Sequence, residues 1–185
     1  MQHPSILELS QSALLIIDVQ EAFRASMPAF DQLARRVAIA AKGAQLLGVP
    51  IVVTEQYPKG LGHTAAEILE ALPENTNIID KTSFSSCGAP KFQDELRQRG
   101  TRQVFVCGIE AHICVNQTVH DLLHAGLQTH LLSDCVTSRK ENDREVAIQK
   151  MQSSGVIMSS LEMALFELMR DAKHAQFKAI QGLIK

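Results

Sequence analysis

"VFVCGIEAHICVNQTVHDLLHAG" runs from Val104 to Gly126. Its first four residues are a continuous apolar burst. Val115, Val119, Leu122 and Leu123 then line one face of a helical pattern that begins near His112 and stops at Gly126. A short apolar strand feeding an amphipathic helix through a tight turn is half of a βαβ unit. The turn "GIEAHIC" (Gly108 to Cys114) has no proline and no second glycine, and it sets Cys114 in the first turn of the expected helix. Cys114 is either a small apolar filler or a nucleophile, and position alone favours the filler.

Five similar apolar runs flank this one: Ala13 to Val19, Val49 to Glu55, Asn77 to Asp80, Gln128 to Asp134 and Gly155 to Ser160. They are continuous rather than alternating, which marks strands buried on both faces, as in a parallel sheet. Helical patterns separate them. From Phe30, apolar residues recur at Leu33, Val37, Ala41, Ala44 and Leu47, and Gly48 stops the helix. Pro90 suits the first turn of a helix through Arg97. Thr64 to Glu67 and Ser138 to Glu141 read as capping boxes. A further helix is expected from Ser160 to about Asp171. The closing segment, His174 to Lys185, presents Phe177, Ile180 and Ile184 on one stripe that must pack on something, a partner subunit being one candidate. Strands alternating with helices predict a three-layer α/β/α sandwich around a six-stranded, mainly parallel, doubly wound sheet, Rossmann-like with strand order 3-2-1-4-5-6. No linker or repeat divides residues 1–185, so a single domain is expected.

The chain has 185 residues, 45% of them hydrophobic and 21% charged, with a formal net charge of −2. That balance offers no electrostatic footprint for nucleic acid and no polybasic patch for a membrane. No apolar stretch approaches bilayer length, and the N-terminus lacks a basic region and a cleavage site, so a cytoplasmic protein is expected. The four cysteines, Cys87, Cys107, Cys114 and Cys135, form no C-x-x-C pair and are expected as free thiols. No G-x-G-x-x-G or phosphate loop is present, and no cofactor is expected.

In doubly wound folds ligands bind at the carboxyl ends of the strands. Asp18 ends the first strand, Glu55 and Gln56 the second, Asp80 and Lys81 the third, and the Cys114 turn follows the fourth. Asp18, Lys81 and Cys114 have complementary chemistry. A helix N-terminus and a nearby cation both lower a thiol pKa, and a carboxylate can accept the thiol proton. Each residue also has a plain reading: core filler for Cys114, turn cap for Asp18, solvated lysine for Lys81.

"LLIIDVQEAF" (Leu14 to Phe23), "DKTSFSSC" (Asp80 to Cys87), the Val104 to Gly126 stretch and "LLSDCVTSR" (Leu131 to Arg139) together resemble the isochorismatase-like cysteine hydrolase superfamily, in the expected order and over almost the whole chain. "EQYPKGLG" (Glu55 to Gly62) and the "GIEAHIC" turn resemble its isochorismatase domain-containing protein branch. The resemblance implies a triad of Asp18 as base, Lys81 as electrostatic support and Cys114 as nucleophile. It implies hydrolysis of small amides or related acyl compounds through a covalent thioester. It further implies a non-proline cis peptide at Ile109–Glu110 that aims the backbone N–H groups of Glu110 and Cys114 at a carbonyl oxygen. A homo-oligomer, dimer or higher, is expected, and the partner in catalysis is a small molecule.

Three departures narrow the reading. The Asp-x-His metal motif of nicotinamidases is replaced by "TEQYPKGLGHT" (Thr54 to Thr64), so no metal is expected, although His63 lies near the missing histidine. The cysteine that vinyl-ether-cleaving isochorismatases lack is present. Glu110 occupies a turn position often held by a small hydroxyl residue, and its side chain either reaches a subunit contact or alters what the pocket accepts. Gln20, Phe23, Tyr57, Phe84 and His112 are candidate pocket residues. Core packing is an equal reading for the two phenylalanines, and orientation of Asp18 an equal one for Gln20. His120 and His124 share a helix face, read here as solvated rather than metal-binding. A non-catalytic scaffold acting through the C-terminal stripe is the alternative function.

Overall fold

β1 (Ser12–Ile17) is a run of six buried residues, and its burial on both sides shapes the rest of the molecule. The computed structural model describes residues 3–185. In it β1 pairs in parallel with β2 (Ile51–Gln56) on one side and β4 (Gln103–Gly108) on the other. β3 (Ile78–Lys81) extends the sheet beyond β2, while β5 (Gln128–Val136) and β6 (Ile157–Ser159) extend it beyond β4. The order is β3-β2-β1-β4-β5-β6 in one six-stranded sheet, as the sequence pattern predicts.

The connecting helices are α1 (Phe30–Leu47), α2 (Pro58–Leu61), α3 (Ala66–Leu69), α4 (Pro90–Gln98), α5 (Asn116–His124), α6 (Glu141–Ser153), α7 (Leu161–Met169) and α8 (Phe177–Ile184). Two cores follow from the strand pleat. Leu14 and Ile16 of β1 join the core beneath α1, α7 and α8, whereas Ala13, Leu15 and Ile17 join the one beneath α4, α5 and α6. Successive side chains point to opposite faces, so a strand covered on both sides is apolar throughout. Gly48 ends α1 in the left-handed conformation (φ 71°), where the sequence places the stop.

Neither expected capping box forms. α3 begins one residue later than a Thr64 cap would set it, because the Thr64 hydroxyl and N–H are both directed to Glu55. α6 is preceded by Lys140, while the Ser138 hydroxyl meets His112. Ser160 does cap its helix, accepting the Met163 N–H. The stripe on the last segment is covered by the chain itself. Ile180 is fully buried, Phe177 meets Phe166 edge to face with ring centroids 6.0 Å apart, and Leu183 and Ile184 pack on the same core. A lone amphipathic helix suits either a partner or its own fold, and only the packing of α8 on α1 and α7 decides between them.

Ile180→Ala is therefore expected to lower folding stability by about 2–5 kcal/mol in urea unfolding, with no change in oligomeric state. Unchanged stability with altered assembly would instead assign the stripe to an interface.

Candidate active site

The strand order reverses between β1 and β4, so the chain leaves these neighbours in opposite directions and a crevice opens beyond their carboxyl ends. Asp18 follows β1 directly. It sits in the left-handed region (φ 54°), with its N–H on the Thr54 carbonyl and its own carbonyl accepting from Gln20. Asp tolerates that conformation better than most residues, and it turns the carboxylate across the strand ends. Lys81 closes β3 in register with Gln56.

The two side chains meet in the interior. Lys81 Nζ lies 2.6 Å from Asp18 Oδ2, with both side chains at most 2% exposed. The ammonium is also 2.7 Å from Gln56 Oε1, 3.0 Å from the Phe84 carbonyl and 3.2 Å from the Ser83 carbonyl. The three donors of a lysine thus face a full set of acceptors. The other carboxylate oxygen, Asp18 Oδ1, accepts from the Thr54 hydroxyl at 2.7 Å. This is no solvated surface lysine: the cation has a fixed position.

Cys114 is placed by the third element. The segment Ala111–Val115 is a π-helical turn, with the Val115 N–H reaching back to the Glu110 carbonyl, and α5 proper starts only at Asn116. The expectation of Cys114 in the first turn of an α-helix is corrected accordingly. The thiol is buried and close enough to Asp18 and Lys81 for both charges to act on it. Burial, then the Asp18 carboxylate, push it up to about 12, against the smaller opposing pull of Lys81. The expectation that a helix N-terminus and a cation lower this pKa is overturned. Lys81 is already paired with Asp18, and the site is buried. At neutral pH Cys114 rests as a neutral thiol.

The turn before Cys114 is held by close backbone approach. A Cβ on Gly108 (φ 126°) would stand 2.1 Å from the Ile17 carbonyl oxygen, so only glycine fits. The Ile109–Glu110 peptide is cis. Glu110 is buried, and its Oε2 accepts from the backbone N–H (3.0 Å) and the Nε (3.1 Å) of Arg139. Its side chain thus locks the turn to the loop after β5. The neighbouring amides are engaged, Ala111 on the Thr137 carbonyl and Ile113 and Val115 on that of Glu110.

The other candidates divide. Gln20 is fully buried, and its amide donates to the Gln56 and Gly62 carbonyls while accepting the Gln56 N–H. It clamps the second strand end to the following loop. Phe23 packs against the core beneath α1. Tyr57 and Phe84 are 53% and 54% exposed, and both hang from the Lys81 segment: the Tyr57 N–H donates to the Lys81 carbonyl, and the Phe84 carbonyl accepts from its ammonium. His112 faces Ser138 Oγ at 2.9 Å, toward α6. His120 lies 3.0 Å from Ser154 Oγ, consistent with a polar helix face. Where a metal motif would stand, buried Glu55 accepts from Thr64 and pairs with His63 at 3.0 Å. Among the described residues no group of three or more His, Cys, Asp or Glu is arranged to hold a metal ion. Sequence reading missed Thr54 as a site residue, and it noted Gln56 only as a strand end. Their one signal was polarity at the close of an apolar run.

A buried thiol facing a carboxylate–ammonium pair across the switch point is accompanied by matches over most of the chain. An isochorismatase domain model matches residues 12–163. The chain belongs to the isochorismatase family. Within it the sequence falls in the isochorismatase domain-containing protein branch of the cysteine hydrolases. Isochorismatase domain-containing protein 2A of Mus musculus is 43% identical over 175 residues, 94% of this chain and 82% of its own. The solved MAR1 ribonuclease of Caenorhabditis elegans is 40% identical with a TM-score of 0.93, over 97% of this chain and 92% of that one. YcaC from Pseudomonas aeruginosa, at 20% identity and a TM-score of 0.89 over 99% of this chain and 93% of its own, shares the fold. With the family comes the enzyme class, a hydrolase. No helix among the described residues is long and apolar enough to cross a membrane.

The electrostatics of Cys114 give a direct expectation. Thiolate ultraviolet absorbance, taken as the difference between the protein and its Cys114→Ser variant, should show no thiolate at neutral pH. Asp18→Asn should lower the Cys114 pKa, because it removes the like charge and leaves Lys81 unopposed. A resting thiolate at neutral pH would contradict this electrostatic picture.

Proposed function

We propose that the protein hydrolyses a small carboxamide, or a related acyl compound, through a thioester on Cys114. The observation that carries this reading is the neutral, buried thiol set against the Asp18–Lys81 pair. A thiol that does not ionise on its own needs a base that takes its proton as it attacks, and Asp18 is the anion facing it. The sulfur adds to the carbonyl carbon while the thiol proton passes to Asp18. The developing oxyanion is received by the N–H groups of Glu110 and Cys114, held by the turn between Gly108 and α5. The carbon–nitrogen bond then breaks as Asp18 returns the proton to the leaving nitrogen, and the amine departs. Water, deprotonated by Asp18, cleaves the thioester. The products are the carboxylic acid and the restored thiol.

Lys81 takes no proton in this scheme. Its role is to keep Asp18 charged inside a desolvated site and to hold the carboxylate still. Tyr57 and Phe84, exposed beside Lys81, are the apolar surface we assign to the substrate entrance. Homo-oligomer formation, which the sequence also suggests, draws no support from α8, whose apolar stripe the chain itself covers. A scaffold role through the C-terminal stripe loses its motivation once Ile180 is seen buried in the chain's own core. The net charge of −2 gives no support to a polyanionic substrate, and every acceptor around Lys81 Nζ belongs to the protein.

Assayed on a panel of small amides and esters, Cys114→Ala is expected to lose at least about a thousandfold in kcat/KM. Mass spectrometry of the wild-type protein with a slow substrate should show an acyl adduct on Cys114 alone among the four cysteines. RNA incubated in parallel should be cleaved no faster than in the Cys114→Ala background. Wild-type amide turnover by that variant, or RNA cleavage that depends on Cys114, would refute the reading.

A further inference from the structure

Behind Asp18 lies a line of buried hydroxyls that the scheme above does not use. Thr54, from β2, donates to Asp18 Oδ1 at 2.7 Å. Thr54 Oγ1 is 3.5 Å from Ser86 Oγ, and Ser86 Oγ is 3.3 Å from Thr118 Oγ1. The Ser86 backbone N–H in turn donates to Thr118 Oγ1 at 2.9 Å. Thr54, Ser86 and Thr118 are all at most 1% exposed.

The proton positions along this line follow from its two ends. A backbone N–H only donates, and an ionised carboxylate only accepts. Thr54 has one hydroxyl proton, committed to Asp18, so Ser86 must donate to Thr54. The Ser86 proton is then committed as well, so Thr118 must donate to Ser86. Every hydrogen points toward Asp18, and each donor is polarised by the one behind it.

The line also joins the three parts of the site. Ser86 opens the short turn Ser86–Gly88, just past the Ser83 and Phe84 carbonyls that hold Lys81. Thr118 lies on α5, four residues beyond Cys114. A second tie, Ser85 Oγ to Asp121 Oδ2 at 2.6 Å, docks the same loop on the same helix.

We propose that Thr54, backed by Ser86 and Thr118, is a positioning residue for the base: its one-way donor line keeps Oδ1 occupied and fixes the orientation in which Asp18 meets Cys114. This rests on the reading of Asp18 as the base that accepts the Cys114 proton. Without that donor Oδ1 loses its partner from β2, and the carboxylate is free to turn away from Cys114. The ionisable groups set against Asp18 are Lys81, from β3, and the Cys114 thiol before α5, and β2 adds the uncharged hydroxyl of Thr54. The outer links are longer than the inner one, so the effect should fall in the order Thr54, Ser86, Thr118.

The test is independent of substrate identity. Cys114 alkylation by iodoacetamide is followed on the full chain at neutral pH by mass spectrometry of the Cys114 peptide. Thr54→Val should slow it about tenfold, the size set by one hydrogen bond to a charged group. Thr54→Ser should restore it, which simple loss of packing would not do. Ser86→Ala should slow it by less. Should Thr54→Val fail to fold, Ser86→Ala and Thr118→Val carry the test, and wild-type rates in both overturn the proposal. A wild-type rate in folded Thr54→Val, with the rate changed in Asp18→Asn, overturns the donor line and leaves the base assignment standing. A rate left unchanged by Asp18→Asn removes the base assignment and this proposal with it.

Discussion

The site depends on one interaction, the ion pair between Lys81 Nζ and Asp18 Oδ2, closed off from solvent at 2.6 Å. Two charges in a dry interior are tolerable only when they neutralise each other and their remaining hydrogen-bonding capacity is met. Both conditions hold here, through Gln56 and two loop carbonyls around the ammonium and through Thr54 on the carboxylate. Removing either partner would strand a buried charge, a change that typically costs about 3–5 kcal/mol. The surrounding loops are shaped by this demand. The chain after β3 folds back so that Ser83 and Phe84 present their carbonyls, and Asp18 adopts a left-handed backbone to bring its carboxylate into line.

The ion pair also explains why the third member of the site is uncharged. A lone lysine beside Cys114 would favour the thiolate, but a lysine already matched by a carboxylate does so only weakly. Burial and the Asp18 charge prevail, and the thiol is pushed up to about 12. Cys87, half buried and away from the Asp18–Lys81 pair, is raised to about 11 by burial and by Asp121. An elevated thiol pKa therefore does not distinguish Cys114. What distinguishes it is a facing carboxylate, itself held in place by a cation, on a turn braced by Glu110, Arg139 and the approach of Gly108 to Ile17.

Much of this was legible in the sequence, and the remainder was hidden for physical reasons. Strands buried on both faces leave continuous apolar runs, so all six could be found, and alternation with helices implied the parallel order. The strand ends named Asp18 and Lys81, because a charged residue closing such a run needs a reason to be there. The two capping boxes failed because hydroxyls bond to whatever acceptor the tertiary fold supplies: Thr64 found Glu55 and Ser138 found His112. Local spacing could not reveal a partner from another element. The π-helical turn before α5 was invisible for the same reason, since its apolar spacing matches that of an α-helix. His130 on β5 shows a further limit. It read as part of an apolar strand, and the structure buries it among apolar residues with neither ring nitrogen bonded among the described residues, its pKa lowered to about 4 by desolvation.

The thiol's sign error teaches the most about the chemistry. Sequence reasoning assigned Cys114 a lowered pKa because a helix start and a cation were expected nearby; the cation is there, but α5 starts only at Asn116. The carboxylate that completes the pair reverses the cation's effect. In the proposed scheme a base poised beside a neutral thiol serves two steps: it takes the proton on attack and has it ready for the departing nitrogen. A thiolate whose proton had already gone to solvent would leave Asp18 with none to return at the second step. On that proposal, the arrangement that makes the resting thiol less acidic is the one that keeps a proton in the site for expulsion of the amine.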